Sequence, residues 1–174
     1  MDAVTYITAA QLCDTPGAVE LSQNLAQDNH YPVSPLLLTA RANGEPVDNW
    51  TLDEVAQADD ALSRLQGVIE DTQSMIDGFL RQRGLKLPLS RIPRQLTAWA
   101  RAIARYHTFR YREGTEQTDP VVRDYKAAMG FLQKVADGRY SLGLDDPLPP
   151  AGGKPRHKGP ARTFDTHTLR HFGK

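Results

Sequence analysis

Val55, Ala58, Leu62, Leu65, Ile69, Thr72, Ile76 and Phe79 follow one another at steps of three and four, the spacing that lays side chains along one face of an α-helix. A chain carrying such a stripe must be built around a rod. The spacing predicts a helix over residues 51–83, roughly 45 to 50 Å long at about 1.5 Å per residue. Thr51-Leu52-Asp53-Glu54 is a capping box at its start, and Gly84 stops it, with Arg81 and Arg83 suited to the negative end of the helix dipole. Gly67 and Gly78 inside the rod each cost about 1 kcal/mol relative to alanine. They are therefore expected to admit a closely packed neighbour.

Two further helices follow. Leu85 to Ser90 is a proline-stiffened apolar turn, and Pro93 fits the first turn of a helix carrying Leu96, Trp99, Ala100, Ile103 and Tyr106 or His107, fading near Tyr111 before Gly114. Asp119-Pro120, cap then first-turn proline, opens a third with Val122, Tyr125, Met129, Leu132 and Ala136 before Gly138. Upstream, Thr8 to Leu12 reads as a capped single turn and Val19 to Gln27 as another short helix. Residues 30–50 differ: prolines extend Tyr31 to Pro35, Leu36 to Thr39 has strand character, and Asn43-Gly44 marks a turn. The expected fold is all-α: a small helical bundle around one long helix, with an inserted N-terminal loop or hairpin at 30–50 and an extended C-terminal arm.

The arm is set apart by composition. Residues 145–174 hold five of twelve prolines, four of thirteen glycines, three of five histidines, six Lys or Arg and three Asp. They are net positive, while residues 1–144 carry fifteen Lys and Arg against eighteen Asp and Glu. Too few apolar groups follow Leu144 to offset the entropy of ordering such a stretch unaided. The division expected is a helical body over 1–144 and an arm over 145–174 that gains order from another surface. Phe164, Leu169, Arg170 and Phe172 are its docking anchors, and Lys154, Arg156, Lys158 and Arg162, with His157 among them, are expected to meet an acidic protein surface or phosphates.

Whole-chain charge is balanced at twenty-one against twenty-one, which favours neither a dedicated nucleic-acid binder nor an acidic mimic. A lone cysteine, Cys13, excludes an intrachain disulfide and any zinc site needing two cysteines. The first residues lack a basic and apolar leader pattern, and no stretch nears the roughly 18 apolar residues of a membrane span. His157, His167 and His171 lack the companions of a metal site, Cys13 has no nucleophile signature, and Glu70, Asp71 and Asp77 read as a solvated helix face. No phosphate-binding, dinucleotide, metalloprotease or hydrolase motif occurs. Neither an enzyme nor a cofactor or metal is expected. On the second helix, Arg94, Arg101, Arg105, Arg110 and Arg112 alternate with Trp99, Tyr106, Phe109 and Tyr111. This suits an amphipathic element whose arginines bridge to acids, with nucleic-acid contact as the rival reading.

In order along the chain stand Tyr6-Ile7-Thr8, Val68-Ile69-Glu70-Asp71, Ile76-Asp77-Gly78-Phe79-Leu80, Leu87-Pro88-Leu89, Ile92-Pro93, Ala102-Ile103-Ala104-Arg105-Tyr106 and Asp124-Tyr125-Lys126-Ala127-Ala128. This series, with the Phe164 to Phe172 stretch, resembles the small neck proteins of Mu-like bacteriophages and their prophages, most fully over residues 54–142. Residues 20–50 are longer than the usual pattern. The resemblance implies a head-to-tail adaptor, a structural virion protein located in the neck and assembled in the host cytoplasm. Such proteins form a ring beneath the portal, typically of about twelve copies around a closing rotation. The ring extends the channel for packaged DNA and offers a platform to the stopper or tail-completion protein. It also implies that the C-terminal arm reaches into the portal. The alternative is a small nucleic-acid-binding or DNA-packaging accessory protein acting through its basic arm.

Overall fold

A computed structural model describes residues 5–26, 32–109 and 118–144. Among the described residues six α-helices form: α1 (Ala9–Leu12), α2 (Ala18–Asn24), α3 (Pro35–Asn43), α4 (Leu52–Arg83), α5 (Arg94–Thr108) and α6 (Pro120–Ala136), with a π-helical turn over Cys13–Gly17 between the first two. No strand occurs among the described residues. The all-α expectation is met.

The rod, α4, has 32 residues, about 48 Å at 1.5 Å per residue. Its capping box is formed: the Glu54 amide donates to Thr51 Oγ1 at 3.3 Å, and the Thr51 amide donates to Glu54 Oε2 at 2.9 Å. Hydrogen bonds from Thr51 hold the exposed Glu54 carboxyl below its ordinary pKa. At the other end Gly84, φ +85°, sends its amide to Arg81 O while the Leu85 amide reaches Leu80 O. That paired closure satisfies two orphan carbonyls and requires a left-handed residue. Of the apolar stripe, Ala58, Leu65, Ile69, Thr72 and Ile76 are buried, whereas Val55, Leu62 and Phe79 stand half-buried at its margin. Ala61 and Leu80 complete the buried face.

The segment around 30–50 is corrected. Residues 35–43 form a helix rather than a strand or hairpin, because Pro35 occupies its first turn and Gly44, φ +72°, closes it with the same paired pattern as Gly84. The Leu36-Leu37-Leu38 run is apolar at strand length, but only Leu37 and Leu38 turn inward and Leu36 faces out. Three-residue apolar runs do not distinguish a buried strand from a helix. The second helix also ends earlier than expected, at Thr108, whose hydroxyl folds back on Arg105 O at 2.7 Å before Phe109 turns extended. Tyr111 and Gly114 lie outside the described residues. The capped turn at Thr8, the short helix after Ala18, and the Asp119-Pro120 start of α6 form as read, with Asp119 Oδ1 accepting from the Val121 amide at 2.9 Å.

Long-range pairs order these elements along the rod. The Tyr6 hydroxyl donates to Asp77, Arg64 donates to Leu25 O at 2.6 Å, and Arg41 Nε donates to Asp59 at 2.6 Å. The N-terminal segment thus runs back along α4 from its C-terminal half toward its start. After Gly84 the chain reverses into α5, then again into α6, whose closing Gly138 lies beside Arg83. With 15 and 17 residues, α5 and α6 span only about half the rod. Toward the start of the rod the chain from Leu25 through α3 lies alongside it, and one continuous core joins Leu12, Leu21 and Leu38 to Leu65, Ile76, Leu96, Ile103 and Leu132.

Gly67 and Gly78 contradict their expected role within the chain. A methyl group added at either would meet nothing within 4 Å. Both sit on the exposed back of α4. Gly67→Ala and Gly78→Ala are each expected to stabilise the isolated chain by about 0.5 to 1 kcal/mol, read as a higher urea midpoint at unchanged slope.

Candidate functional site

The anchors Phe164, Leu169, Arg170 and Phe172, the basic residues Lys154, Arg156, Lys158 and Arg162, and the histidines His157, His167 and His171 all lie outside the described residues. What is described is how the chain is held up to that point. Leu142 is buried, Arg91 donates to Gly143 O at 3.0 Å, and Leu144 lines an open cleft of about 460 Å³ with Leu85, Pro88 and Leu89. The last described residues are therefore tied to the turn between α4 and α5.

The aromatic and arginine residues of α5 resolve into separate uses. Trp99 stacks on Phe131 at 5.5 Å between centroids, with Tyr140 edge-on to both rings. Lys134 lies over the outer Phe131 ring at 4.9 Å, a geometry in which the ring face attracts the cation. Tyr106 stacks on Tyr125 at 4.1 Å. These rings spend their faces on one another across α5 and α6, as expected of an amphipathic helix. Arg105 grips Glu20 of α2 through two hydrogen bonds, which raise its pKa further. Arg101 is different. It forms no hydrogen bond or ion pair among the described residues, and its Nε is buried. Arg110 and Arg112 lie outside the described residues.

His107 packs edge-on to Tyr106 and Tyr125. Burial lowers its pKa below 6.5, against an opposing pull from Asp71. The unfolded chain then binds the proton first, so stability is retained above pH 6.5 and declines as pH falls through the window beneath it. His107→Gln is expected to flatten part of that acid decline in urea unfolding curves taken from pH 7 downward.

The remaining candidates are structural. Cys13 is buried, and desolvation followed by the nearby Asp14 charge pushes its thiol up to about 11, the reverse of an activated nucleophile. Glu70 and Asp71 are exposed as expected. Asp77 departs from the solvated reading, since it accepts from the Tyr6 hydroxyl and pairs with Arg81 at 3.5 Å. Burial, then the Asp77 hydrogen bond, raises the Tyr6 pKa. No group of three potential metal ligands occurs among the described residues, and no described helix is long and apolar enough to cross a membrane. The Tyr6–Asp77 and Glu20–Arg105 pairs had no local signal, because their partners are 71 and 85 positions apart.

Residues 6–158 match the family model described as Bacteriophage Mu, Gp36. A Mu-like prophage FluMu protein gp36 from Haemophilus influenzae is 38% identical over 95 residues, covering 55% of this chain and 62% of the relative. The aligned region is thus less than two thirds of that relative's length. No solved structure matches.

Proposed function

The chain belongs to the bacteriophage Mu Gp36 family, and from that premise we propose that it is a head-to-tail adaptor, a non-catalytic virion protein of the neck. It forms a ring under the portal, extends the channel through which packaged DNA passes, and presents a platform to the stopper or tail-completion protein. The observation that carries this reading is the division of labour along the chain. A body with one continuous core holds its own end at Leu142 to Leu144, and the sequence beyond places Phe164, Leu169 and Phe172 in an otherwise polar, basic stretch. Apolar anchors on a long arm suit a protein groove better than a phosphate backbone. Repeated around a ring, individually weak arms hold persistently because each raises the effective concentration of the others. Balanced charge leaves assembly to the portal as template.

The test is to mix the purified chain with and without portal rings and follow assembly by native mass spectrometry. Portal-dependent rings, with monomer alone, are expected. Stable rings of the isolated chain would remove the templating step. A salt-sensitive affinity for duplex DNA without portal association would replace the reading with that of a packaging accessory protein.

A further inference from the structure

Arg101 lines a cleft of about 190 Å³ on the outer side of α5 and α6, walled by Pro16, Ala98, Ala102 and Val121. Apolar walls lower the local dielectric, so a cation there gains more from a carboxylate than it would on an open surface. The other charges at the cleft are answered: Arg105 by Glu20, and Asp124 by Arg123 at 3.3 Å. Among the described residues Arg101 has no partner, and its Nε is buried. Its guanidinium at this cleft has no carboxylate on it, and charge-assisted hydrogen bonding favours an anionic acceptor that enters.

The same chain supplies a matching surface. Glu70 is exposed on α4 and, among the described residues, is met only by Gln66, whereas the exposed Asp71 beside it acts on His107 of α5. By the 100° advance per residue Glu70 lies on the back of the rod, well round from the buried positions Leu65, Ile69, Thr72 and Ile76, while Asp71 lies on the flank toward His107 of α5. Gly67, Ser74 and Gly78 share that back, which gives it low relief. On α5, the cleft residues Ala98, Arg101 and Ala102 lie opposite the buried Leu96, Ala100, Ile103 and Ala104. Since α4 and α5 pack through their buried faces, Glu70 and the Arg101 cleft lie on different sides of the subunit.

Taking the ring reading above as its basis, we propose that the Arg101 cleft of one copy receives Glu70 from the back of α4 in the next copy. Surfaces on different sides of one subunit cannot satisfy each other in a two-fold dimer. They can do so head to tail around a closed ring. The two glycines then have a use that the single chain does not show: they let the neighbouring surface approach the rod.

The test uses phage particles assembled with the full-length chain. With cysteines at both sites in one chain (Arg101→Cys and Glu70→Cys), a short bis-maleimide is expected to produce a ladder of multimers on a denaturing gel. Either single variant should give none, the native Cys13 being buried. In parallel, Arg101→Glu should lower the copies per particle by about tenfold, and Arg101→Glu combined with Glu70→Arg should restore them. Dimers without a ladder, or wild-type incorporation of Arg101→Glu, would overturn the interface while leaving the ring reading intact. Absence of the wild-type chain from particles would instead overturn the ring reading, and this interface with it.

Discussion

Leu65→Ala is expected to destabilise the body by about 3 kcal/mol, within the range for a fully buried leucine whose cavity cannot collapse. Leu65 has no exposed surface, and it sits in the core shared by the helices flanking the rod on both sides. Against the 5 to 15 kcal/mol typical of a domain this is a large fraction. The loss should be felt at both ends of the molecule, because neither α1–α3 nor the α5–α6 pair has a core independent of α4. The chain's two tryptophans report on the two regions: Trp50 precedes α4 and Trp99 lies on α5. Urea unfolding of Trp50→Phe and Trp99→Phe backgrounds, each with and without Leu65→Ala, should give coincident transitions that shift together. Separate midpoints would show that the rod joins two units instead of belonging to one.

Removal of residues 145–174 is expected to have the opposite profile. Helicity and the unfolding midpoint should be retained, since Leu142 is buried and Arg91 holds Gly143 before the cut. On the proposed adaptor reading, association with portal should be lost almost completely, because arms acting through many copies at once would all be removed. Particles made with the truncated chain should package DNA but leak it or fail to receive tails. Circular dichroism, thermal melting and portal co-sedimentation separate the two effects. An unfolded truncation would place the arm in the core, and a truncation that still binds portal would move the docking surface onto the body.

The parts of the fold that were readable are those fixed by neighbours in sequence. The α4 stripe, the Thr51–Glu54 and Thr8–Gln11 capping boxes, the Asp119 cap and the stops at Gly84 and Gly138 each lie within a few residues, where helix geometry leaves little choice. Residues 35–43 misled because two prolines and an apolar run suggest extension, while the deciding signals were Pro35 in a first turn and Gly44 as a left-handed stop. Gly67 and Gly78 misled differently, since sequence shows that a glycine is costly in a helix but not which molecule lies beside it. The isolated state of Arg101 was illegible for a related reason. Arg101 and Arg105 look alike one turn apart, and only the fold brings Glu20 to one of them. Resemblance was fullest over the body, whereas the anchors beyond Leu144 rest on composition and on a resemblance in outline, and they lie outside the described residues.

The most direct check is a cryo-electron reconstruction of intact virions at the junction of capsid and tail. The six-helix body should appear there as a closed ring against the portal, with density for Phe164, Leu169 and Phe172 seated in portal subunits. Virions in which this polypeptide is missing, or is found elsewhere than at that junction, would contradict the account.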